Sequence, residues 1–250
     1  MVQILGTRRR SVRCRGVALC WLAVLAAGSS PAQAAGPEQL EQLEPGGGEW
    51  QFEYHSLIGR GSEDEHSLQT LKGVSDHLAI GVEVEAEWSA GTLKFDGFAP
   101  TVLYRFSDGS NRIGIGVAAQ VEFAGDLSIA STEARLILEK RSRRWWGQGN
   151  LIVNRLSEDG ESGIGLAYGW GLSRSIAADV WVGAEGSGQA ARLAGSASAI
   201  PEGGHFFGPA LTIEHELDSG SEFEIGIAYL HRIAGEGPLD AARLFVQFNL

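Results

Sequence analysis

Cysteine and methionine are almost absent from this sequence of 250 residues. The two cysteines, Cys14 and Cys20, lie near the amino terminus, so the chain beyond them can form no disulfide and no thiolate metal site. The one methionine is Met1, which excludes a copper site built on soft thioether ligands. No His-x-His or His-x-x-x-His pair and no Gly-x-x-x-x-Gly-Lys phosphate loop is present. We therefore expect no metal site and no cofactor.

Long apolar runs are missing as well. After Ala34 the sequence has no stretch of about 18 consecutive apolar residues, which excludes a membrane protein built from helices. The apolar run Val17–Ala27 follows five arginines and precedes the small-residue motif Ala32-Gln33-Ala34. This arrangement predicts a cleaved secretory signal peptide over residues 1–34, with a disordered basic arm as the alternative.

Basic residues are scarce in the remaining chain. The formal net charge is −11, and residues 1–34 contain five arginines and no acidic residue, so residues 35–250 carry −16. A chain with this charge is a poor partner for phosphate backbones. We therefore expect no binding to nucleic acid.

Alternation of apolar with small or polar residues is the pattern that recurs instead. Residues 78–88 have apolar side chains at even positions and Glu83, Glu85 and Glu87 at odd positions. Such alternation places the two sets on opposite faces of a β-strand. Similar segments predict an all-β fold, a transmembrane antiparallel up-and-down β-barrel of about 12 strands within residues 48–250. The strands are expected at residues 48–58, 65–74, 77–88, 92–106, 111–124, 131–140, 145–156, 162–171, 175–185, 206–217, 221–232 and 240–250.

The predicted connections alternate in length. Outer-membrane barrels have short periplasmic turns and longer extracellular loops, so this alternation predicts periplasmic termini. An even number of strands lets the last strand pair with the first, which leaves no open edge. The short turns are expected at residues 74–76, 107–110, 141–144, 172–175 and 218–221, and the longer connections at 59–64, 89–91, 125–130, 157–161, 186–205 and 233–239.

Two segments outside the strands leave alternatives open. Residues 35–47 are predicted to be a short periplasmic N-terminal segment, although they could instead insert into the barrel as a plug. The connection 186–205 is rich in Ala, Ser and Gly. It could fold inward as a constriction or remain outside the barrel.

Charged residues on the polar face are candidates to line the lumen. Acids outnumber bases among them, and a ring of carboxylates selects against anions, so a conducting lumen should favour neutral or cationic solutes. The alternative is that acids and bases pair across a plugged interior. The candidates are Glu53, Glu83, Glu85, Glu87, Arg105, Glu122, Glu133, Arg135, Asp179, Glu214, Glu224 and Arg243.

Aromatic residues cluster near the expected strand ends. Aromatic girdles of membrane barrels lie at the level of the lipid headgroups, and ordinary core packing is the alternative. The residues concerned are Trp50, Trp88, Tyr104, Trp145, Trp146, Trp170 and Tyr229.

These patterns favour a pore or binding channel for a small neutral or cationic solute. A membrane-embedded hydrolase that modifies lipids and a structural or adhesive barrel acting through its loops are the alternatives. No Ser/His/Asp spacing identifies catalytic residues, so an enzyme is the less favoured reading. The expected partners are outer-membrane lipid, the barrel-assembly machinery during biogenesis, and a small solute.

Two stretches carry a resemblance to a known group of proteins. Gly48-Glu49-Trp50 and the run from Gly73 to Val82 resemble uncharacterised proteobacterial outer-membrane β-barrel proteins described as porin-like or transporter-like. The final strand, Ala241 to Leu250, is similar to the C-terminal signal that the barrel-assembly machinery reads, although it ends on Leu250 and has Phe248 two positions earlier. The resemblance implies a location in the outer membrane of a Gram-negative cell and no particular binding residue.

Overall fold

The computed structural model describes residues 37–59, 64–89, 91–107, 112–158, 160–200, 203–217 and 220–250. The predicted signal peptide, residues 1–34, lies outside these ranges. None of the described residues forms a helix long and apolar enough to cross a membrane.

Twelve antiparallel strands form one closed barrel, in which each strand pairs with its neighbours in the sequence and β12 pairs with β1. The closing pair runs from Gln51 opposite Asn249 to Gly59 opposite Ala241. The predicted all-β, twelve-stranded up-and-down barrel is thereby confirmed. The strands are β1 (Trp50–Gly59), β2 (Asp64–Ser75), β3 (Leu78–Ser89), β4 (Thr92–Ser107), β5 (Gly114–Ala124), β6 (Ile129–Arg141), β7 (Trp145–Glu158), β8 (Glu161–Ala177), β9 (Val180–Gly195), β10 (His205–Glu216), β11 (Glu222–Ala234) and β12 (Asp240–Asn249).

Strands β8 and β9 are longer than predicted, and the turn between them lies elsewhere. The turn expected at 172–175 is part of β8, and the chain reverses at Ala178 and Asp179. A two-residue connection preserves the alternation of faces, so Ile176 and Val182 stay in phase although they belong to different strands. The apolar alternation therefore continued through the turn and concealed it.

The connections differ less in length than predicted. One end of the barrel, called the terminal end here, carries Trp50, Leu250 and the turn Ala178–Asp179. The opposite end, called the loop end, carries the long connection 196–204, but its connections at 90–91 and 159–160 have only two residues. The lengths of the connections therefore distinguish the two ends mainly because the loop end has the long connection 196–204.

Large apolar side chains cover the outer face of the barrel. Val102, Leu151 and Ile227 are 46%, 47% and 53% exposed, whereas the residues that alternate with them point into the barrel and are buried. A closed sheet satisfies its own backbone hydrogen bonds, and an apolar outer band is what lipid requires. The barrel is therefore of the membrane-spanning type.

Six of the seven aromatic residues predicted for the girdles are exposed, and one points inward. Trp145 is 49% exposed, but its neighbour Trp146 is 4% exposed and lies on the inner face. Trp146 had been assigned to a girdle because it follows a turn, and strand parity places it in the lumen instead. The exposed residues are Trp50, Trp88, Tyr104, Trp145, Trp170 and Tyr229.

A glycine on the outer face allows two aromatic rings to meet across a strand. Trp170 of β8, Gly186 of β9 and Phe207 of β10 are aligned in register, and the two rings stack with centroids 5.9 Å apart. A Cβ added at Gly186 would lie 2.7 Å from Nε1 of Trp170. The missing side chain is therefore what makes room for the indole ring.

Gly186→Ala should destabilise the barrel because the added methyl group displaces Trp170 from Phe207. Overpacking and a lost aromatic contact cost about 1–3 kcal/mol together. The fraction of folded protein after heating can be measured by gel electrophoresis, because the folded barrel and the unfolded chain migrate differently. The temperature at which half of the protein is unfolded should fall by several degrees. The matched control is Gly149→Ala, since a Cβ at Gly149 has nothing within 4 Å. Equal stability of the two variants would contradict this packing.

Candidate functional site

A row of polar side chains runs around half of the barrel interior. Successive strands place six inward-facing residues directly opposite one another, from β10 through β11, β12, β1 and β2 to β3. We call this row the polar half-ring. It consists of Glu214, Glu224, Gln247, Glu53, Gln69 and Glu83.

Hydrogen bonds satisfy part of the polar half-ring. Glu53 bonds Nε2 of His55 at 2.6 Å and Nε2 of Gln51 at 3.1 Å. Glu83 accepts a bond from Nε2 of Gln120 at 3.1 Å. Gln69 is 1% exposed, and neither its amide nitrogen nor its amide oxygen has a hydrogen-bond partner among the described residues. The half-ring therefore keeps polar groups that can bond a solute or water.

Three more carboxylates converge on the neighbouring part of the wall. Oxygen atoms of Glu85, Asp96 and Glu122 lie within 4.8 Å of one another. Asp96 is the extra residue of a β-bulge, because Glu85 pairs with Gly97 and Ala86 pairs with Phe95. A bulge changes the direction of a side chain, and here it brings Asp96 to the carboxylates of β3 and β5. This cluster concentrates acidic groups at one part of the wall.

Two of the lumen arginines, Arg135 and Arg243, are paired with acids. Arg135 donates from Nε to Glu133 at 2.8 Å and from Nη1 to Asn150 at 3.2 Å. Arg243 donates to Glu185. Both arginines are buried, and such pairing is what allows charged groups to remain inside. The positive charge is therefore locally neutralised, whereas several carboxylates have other carboxylates as neighbours.

Arg141 forms a compact group near the terminal end. Its guanidinium lies 4.7 Å from the ring centroid of Trp146 and 5.1 Å from that of Trp181, and it donates to Glu214. Nε1 of Trp181 also donates to Glu214, at 3.1 Å. Arg141 is the last residue of β6 and not part of the turn predicted at residues 141–144, and the sequence pattern did not predict this group. The indole rings of Trp146 and Trp181 fill the lumen beside β6, β7 and β9.

Residues 37–47 lie inside the barrel and are called the plug. Leu43 packs with Ala79, Leu103 and Ile137, which belong to β3, β4 and β6. Leu40 lies against Gly169 and Gly171 of β8, where a Cβ would approach its methyl groups to 2.9 and 3.1 Å. Contacts with strands on several sides show that the segment occupies the lumen. The described part of the predicted periplasmic segment 35–47 is therefore inserted, as in the plug alternative.

The barrel wall holds the plug largely by its main chain. Seven hydrogen bonds join wall side chains to backbone N–H or C=O groups of the plug, and Asn150 alone makes two of them to Glu41. The side chain of Glu44 adds bonds from Gln247 at 2.8 Å and Asn249 at 2.6 Å. The wall residues that bond the plug backbone are Arg105, Arg135, Glu139, Asn150, Ser187 and Arg243.

The plug adds acidic groups to an acidic interior. Burial raises the pKa of Glu38 to about 7, and the charge of Glu133 acts in the same direction while Arg135 opposes it. Burial likewise raises the pKa of Glu41 to about 7; Arg135 opposes the increase, and Glu53 and Glu83 add to it. A raised carboxyl pKa means that the docked plug favours the protonated, uncharged side chains.

The loop end is narrowed by residues 196–200, the part of the connection that directly follows β9. Ile200 is 1% exposed and lies where a Cβ on Gly163 would approach it to 2.5 Å. The side chain of Arg192 donates to the carbonyl of Ile200 at 3.4 Å. Of the two alternatives for this connection, the structure shows the inward one. Between the plug and the wall, beside Leu40 and His55, a cavity of about 10 Å³ remains, about the space that one water occupies.

The structure distributes the twelve predicted lumen residues unevenly. Glu53, Glu83, Arg135, Glu224 and Arg243 are buried inside the barrel. Partly buried positions on the wall are occupied by Glu85, Glu87, Arg105, Glu122, Glu133 and Glu214.

Asp179 is the exception. It lies in the terminal turn between β8 and β9, is exposed, and contacts His215 at 3.2 Å. Its assignment to the lumen was therefore incorrect and followed from the misplaced turn. The predicted strand also ended too early, at residue 185, so that the inward-facing Ser187 was missed; Glu185 lay within the predicted strand but was not among the predicted lumen residues.

Comparison with known proteins informs the fold. No family model matches the chain, and no curated protein matches it. Among solved structures, an outer-membrane channel from Pseudomonas putida F1 is similar over 86% of this chain and 98% of its own, with a TM-score of 0.52 and 10% identity. The KdgM porin is matched over 79% of this chain and 98% of its own, with a TM-score of 0.48 and 10% identity. The chain has the fold of an outer-membrane β-barrel.

Plug docking should weaken as the pH rises. Glu38 and Glu41 have pKa values of about 7 when docked and about 4.5 as ordinary carboxyl groups, so docking takes up protons between these values. Its stability is greatest below about pH 4.5 and is lost progressively up to about pH 7. Conductance of the full-length barrel in planar bilayers should therefore rise over this interval.

A variant carrying Glu38→Gln and Glu41→Gln should show a much smaller rise in conductance. Other lumen carboxylates also titrate, so the same pH series on a barrel lacking residues 36–45 measures their contribution. An equally steep rise in the double variant would contradict the role of the two plug glutamates.

Proposed function

We propose that this protein is an outer-membrane pore or binding channel for small neutral or cationic solutes, and that the plug holds it closed. The observation that carries this proposal is the polar half-ring together with the inserted plug. A barrel that needed only a stable interior could fill it with apolar side chains. This one surrounds a removable segment of chain with Glu, Gln, Asn and Arg.

The charge distribution supports a preference for cations. Arg135 and Arg243 each bond a neighbouring carboxylate, so little positive charge is left unbalanced on that part of the wall. Glu85, Asp96 and Glu122 lie close to one another, and the half-ring adds Glu53 and Glu83. Carboxylates that line a pore attract cations and repel anions.

The hydrolase alternative has weaker support. On the outer face at the loop end, His66 bonds the hydroxyl group of Tyr54, and His205 bonds that of Tyr168, both at 2.9 Å. His231 lies 2.8 Å from Asp240, whose carboxylate also accepts a bond from Tyr229. These pairs place aromatic and polar groups where a headgroup region would be, which suits anchoring in lipid.

Removal of the plug should open the barrel. A variant that lacks residues 36–45 loses the packing of Leu40 and Leu43 and the main-chain bonds to the wall, and its conductance should exceed that of the full-length protein severalfold. Leu40→Ala with Leu43→Ala should give an intermediate increase, because each truncation removes buried apolar contacts worth about 2–5 kcal/mol.

Ile58→Ala serves as the control for plug removal, since Ile58 lies on the outer face and is 49% exposed. Its conductance should equal that of the unmodified protein. A plug-deleted barrel that folds but conducts no better than the full-length protein would overturn the closure model.

Cation preference should depend on the acidic cluster. In the plug-deleted barrel, Glu85→Gln, Asp96→Asn and Glu122→Gln together should shift the reversal potential in a salt gradient towards zero, since the acidic groups of the cluster are removed from the passage. Asp179→Asn is the matched control, because Asp179 is exposed in a turn outside the lumen. An unchanged reversal potential in the triple variant would count against a cation path along this wall.

A further inference from the structure

The wall recognises the plug in the way that one strand recognises another. Asn150 accepts a hydrogen bond from the N–H of Glu41 at 2.7 Å and donates one to the C=O of the same residue at 3.2 Å. A side-chain amide thus satisfies both main-chain groups of one residue, as a neighbouring strand would. These bonds are made to groups that every non-proline residue carries.

Further main-chain bonds extend this pattern along the plug. Arg243 donates to the carbonyl of Glu38 at 3.4 Å, Arg135 to that of Gln39 at 2.7 Å, and Arg105 to that of Pro45 at 2.6 Å. The N–H of Glu38 donates to Ser187 at 3.1 Å, and that of Leu43 donates to Glu139 at 3.2 Å. The bonds reach from one end of the plug to the other and are independent of its side chains.

Side-chain requirements along the plug are few. Leu40 and Leu43 fit against glycines of the wall, Gly169, Gly171 and Gly116, which leave space for an apolar group. These two positions are three residues apart in the repeat Glu38-Gln39-Leu40-Glu41-Gln42-Leu43. A chain that follows the path of the plug and has apolar residues at these two positions therefore satisfies the same wall.

The glutamates of the plug are poorly matched to their surroundings. The negative charges of Glu53 and Glu83 act unfavourably on ionised Glu41, and that of Glu133 acts unfavourably on ionised Glu38. Arg135 offsets part of this repulsion but is already bonded to Glu133. Another chain with the same backbone and without these two charges would avoid the repulsion.

We propose that the lumen binds peptides through their main chain, and that a peptide with uncharged or basic side chains in place of Glu38 and Glu41 displaces the plug. This inference rests on the proposed function, since it names peptides as the solute class that the channel takes. The plug then occupies the peptide-binding site and competes with added peptides for it.

The test uses the plug-deleted barrel in detergent and two synthetic ten-residue peptides with blocked ends. One has the sequence of residues 37–46, and the other carries Glu38→Gln and Glu41→Gln; both keep Glu44, which Gln247 and Asn249 bond. Calorimetric titration near neutral pH should show both peptides binding, with the Gln peptide at least tenfold tighter. Near pH 5 the difference should shrink, because protonation removes the repulsion from the Glu peptide.

Wall variants establish that recognition is through the main chain. Asn150→Ala should weaken both peptides equally and by at least fivefold, since it removes the two bonds to the backbone at position 41. Asn154→Ala is the matched control on the same strand and the same face, and it should leave the affinity unchanged. The full-length protein should bind the Gln peptide more weakly than the plug-deleted barrel, because the plug competes.

Three outcomes would overturn the inference: neither peptide binds the folded plug-deleted barrel, the Glu peptide binds as tightly as the Gln peptide near neutral pH, or Asn150→Ala leaves affinity unchanged. Conductance of the same preparation is recorded in parallel. A barrel that conducts but binds no peptide retains the pore proposal and loses this one. A barrel that binds peptide but does not conduct loses the pore proposal while peptide binding stands.

Discussion

The need to pair every backbone polar group is the constraint on which the rest of this structure depends. In hydrocarbon no water can replace a missing hydrogen bond, so the sheet must close, and here β12 meets β1 over nine aligned residue pairs. In a closed barrel, alternate residues of each strand face either the lipid or the lumen. Outward positions require apolar groups, and inward positions are released from that requirement. The polar half-ring is possible only because of this release.

An interior rich in polar groups creates a second problem, which the plug addresses. Arg135, Arg243 and Asn150 are nearly inaccessible, and buried polar groups are costly unless they are hydrogen-bonded. The plug backbone supplies the carbonyl groups that these side chains need. Glu38 and Glu41 of the plug oppose docking, because Glu133 repels ionised Glu38 while Glu53 and Glu83 repel ionised Glu41. The result is a segment that is held by its main chain, Leu40, Leu43 and Glu44 and opposed by the charges of Glu38 and Glu41, which is the balance expected of a displaceable element.

Strand parity explains how much of the fold could be predicted. The alternation over residues 78–88 predicted β3 almost to the residue, and the C-terminal strand was placed correctly beside β1. The same alternation misplaced the turn between β8 and β9, because Ala178 and Asp179 form a two-residue connection that leaves the parity unchanged. Asp179 was consequently assigned to the lumen, and Ser187 was missed because β9 continues ten residues beyond its predicted end. A pattern of period two reports the face of a residue and says little about where the chain reverses.

Insertion of the plug could be named as an alternative but could not be decided from the sequence, for a different reason. Main-chain recognition imposes almost no side-chain pattern on the recognised segment, so residues 37–47 show neither alternation nor a charge complementary to the acidic wall. The wall residues are also difficult to identify in advance. Asn150 was visible as a polar inward position, but its two bonds to Glu41 depend on a segment more than a hundred residues away. Recognition of this kind is encoded in the spacing of donors and acceptors around a closed lumen. That spacing exists only once the barrel has formed, and it would serve another chain as well as the plug.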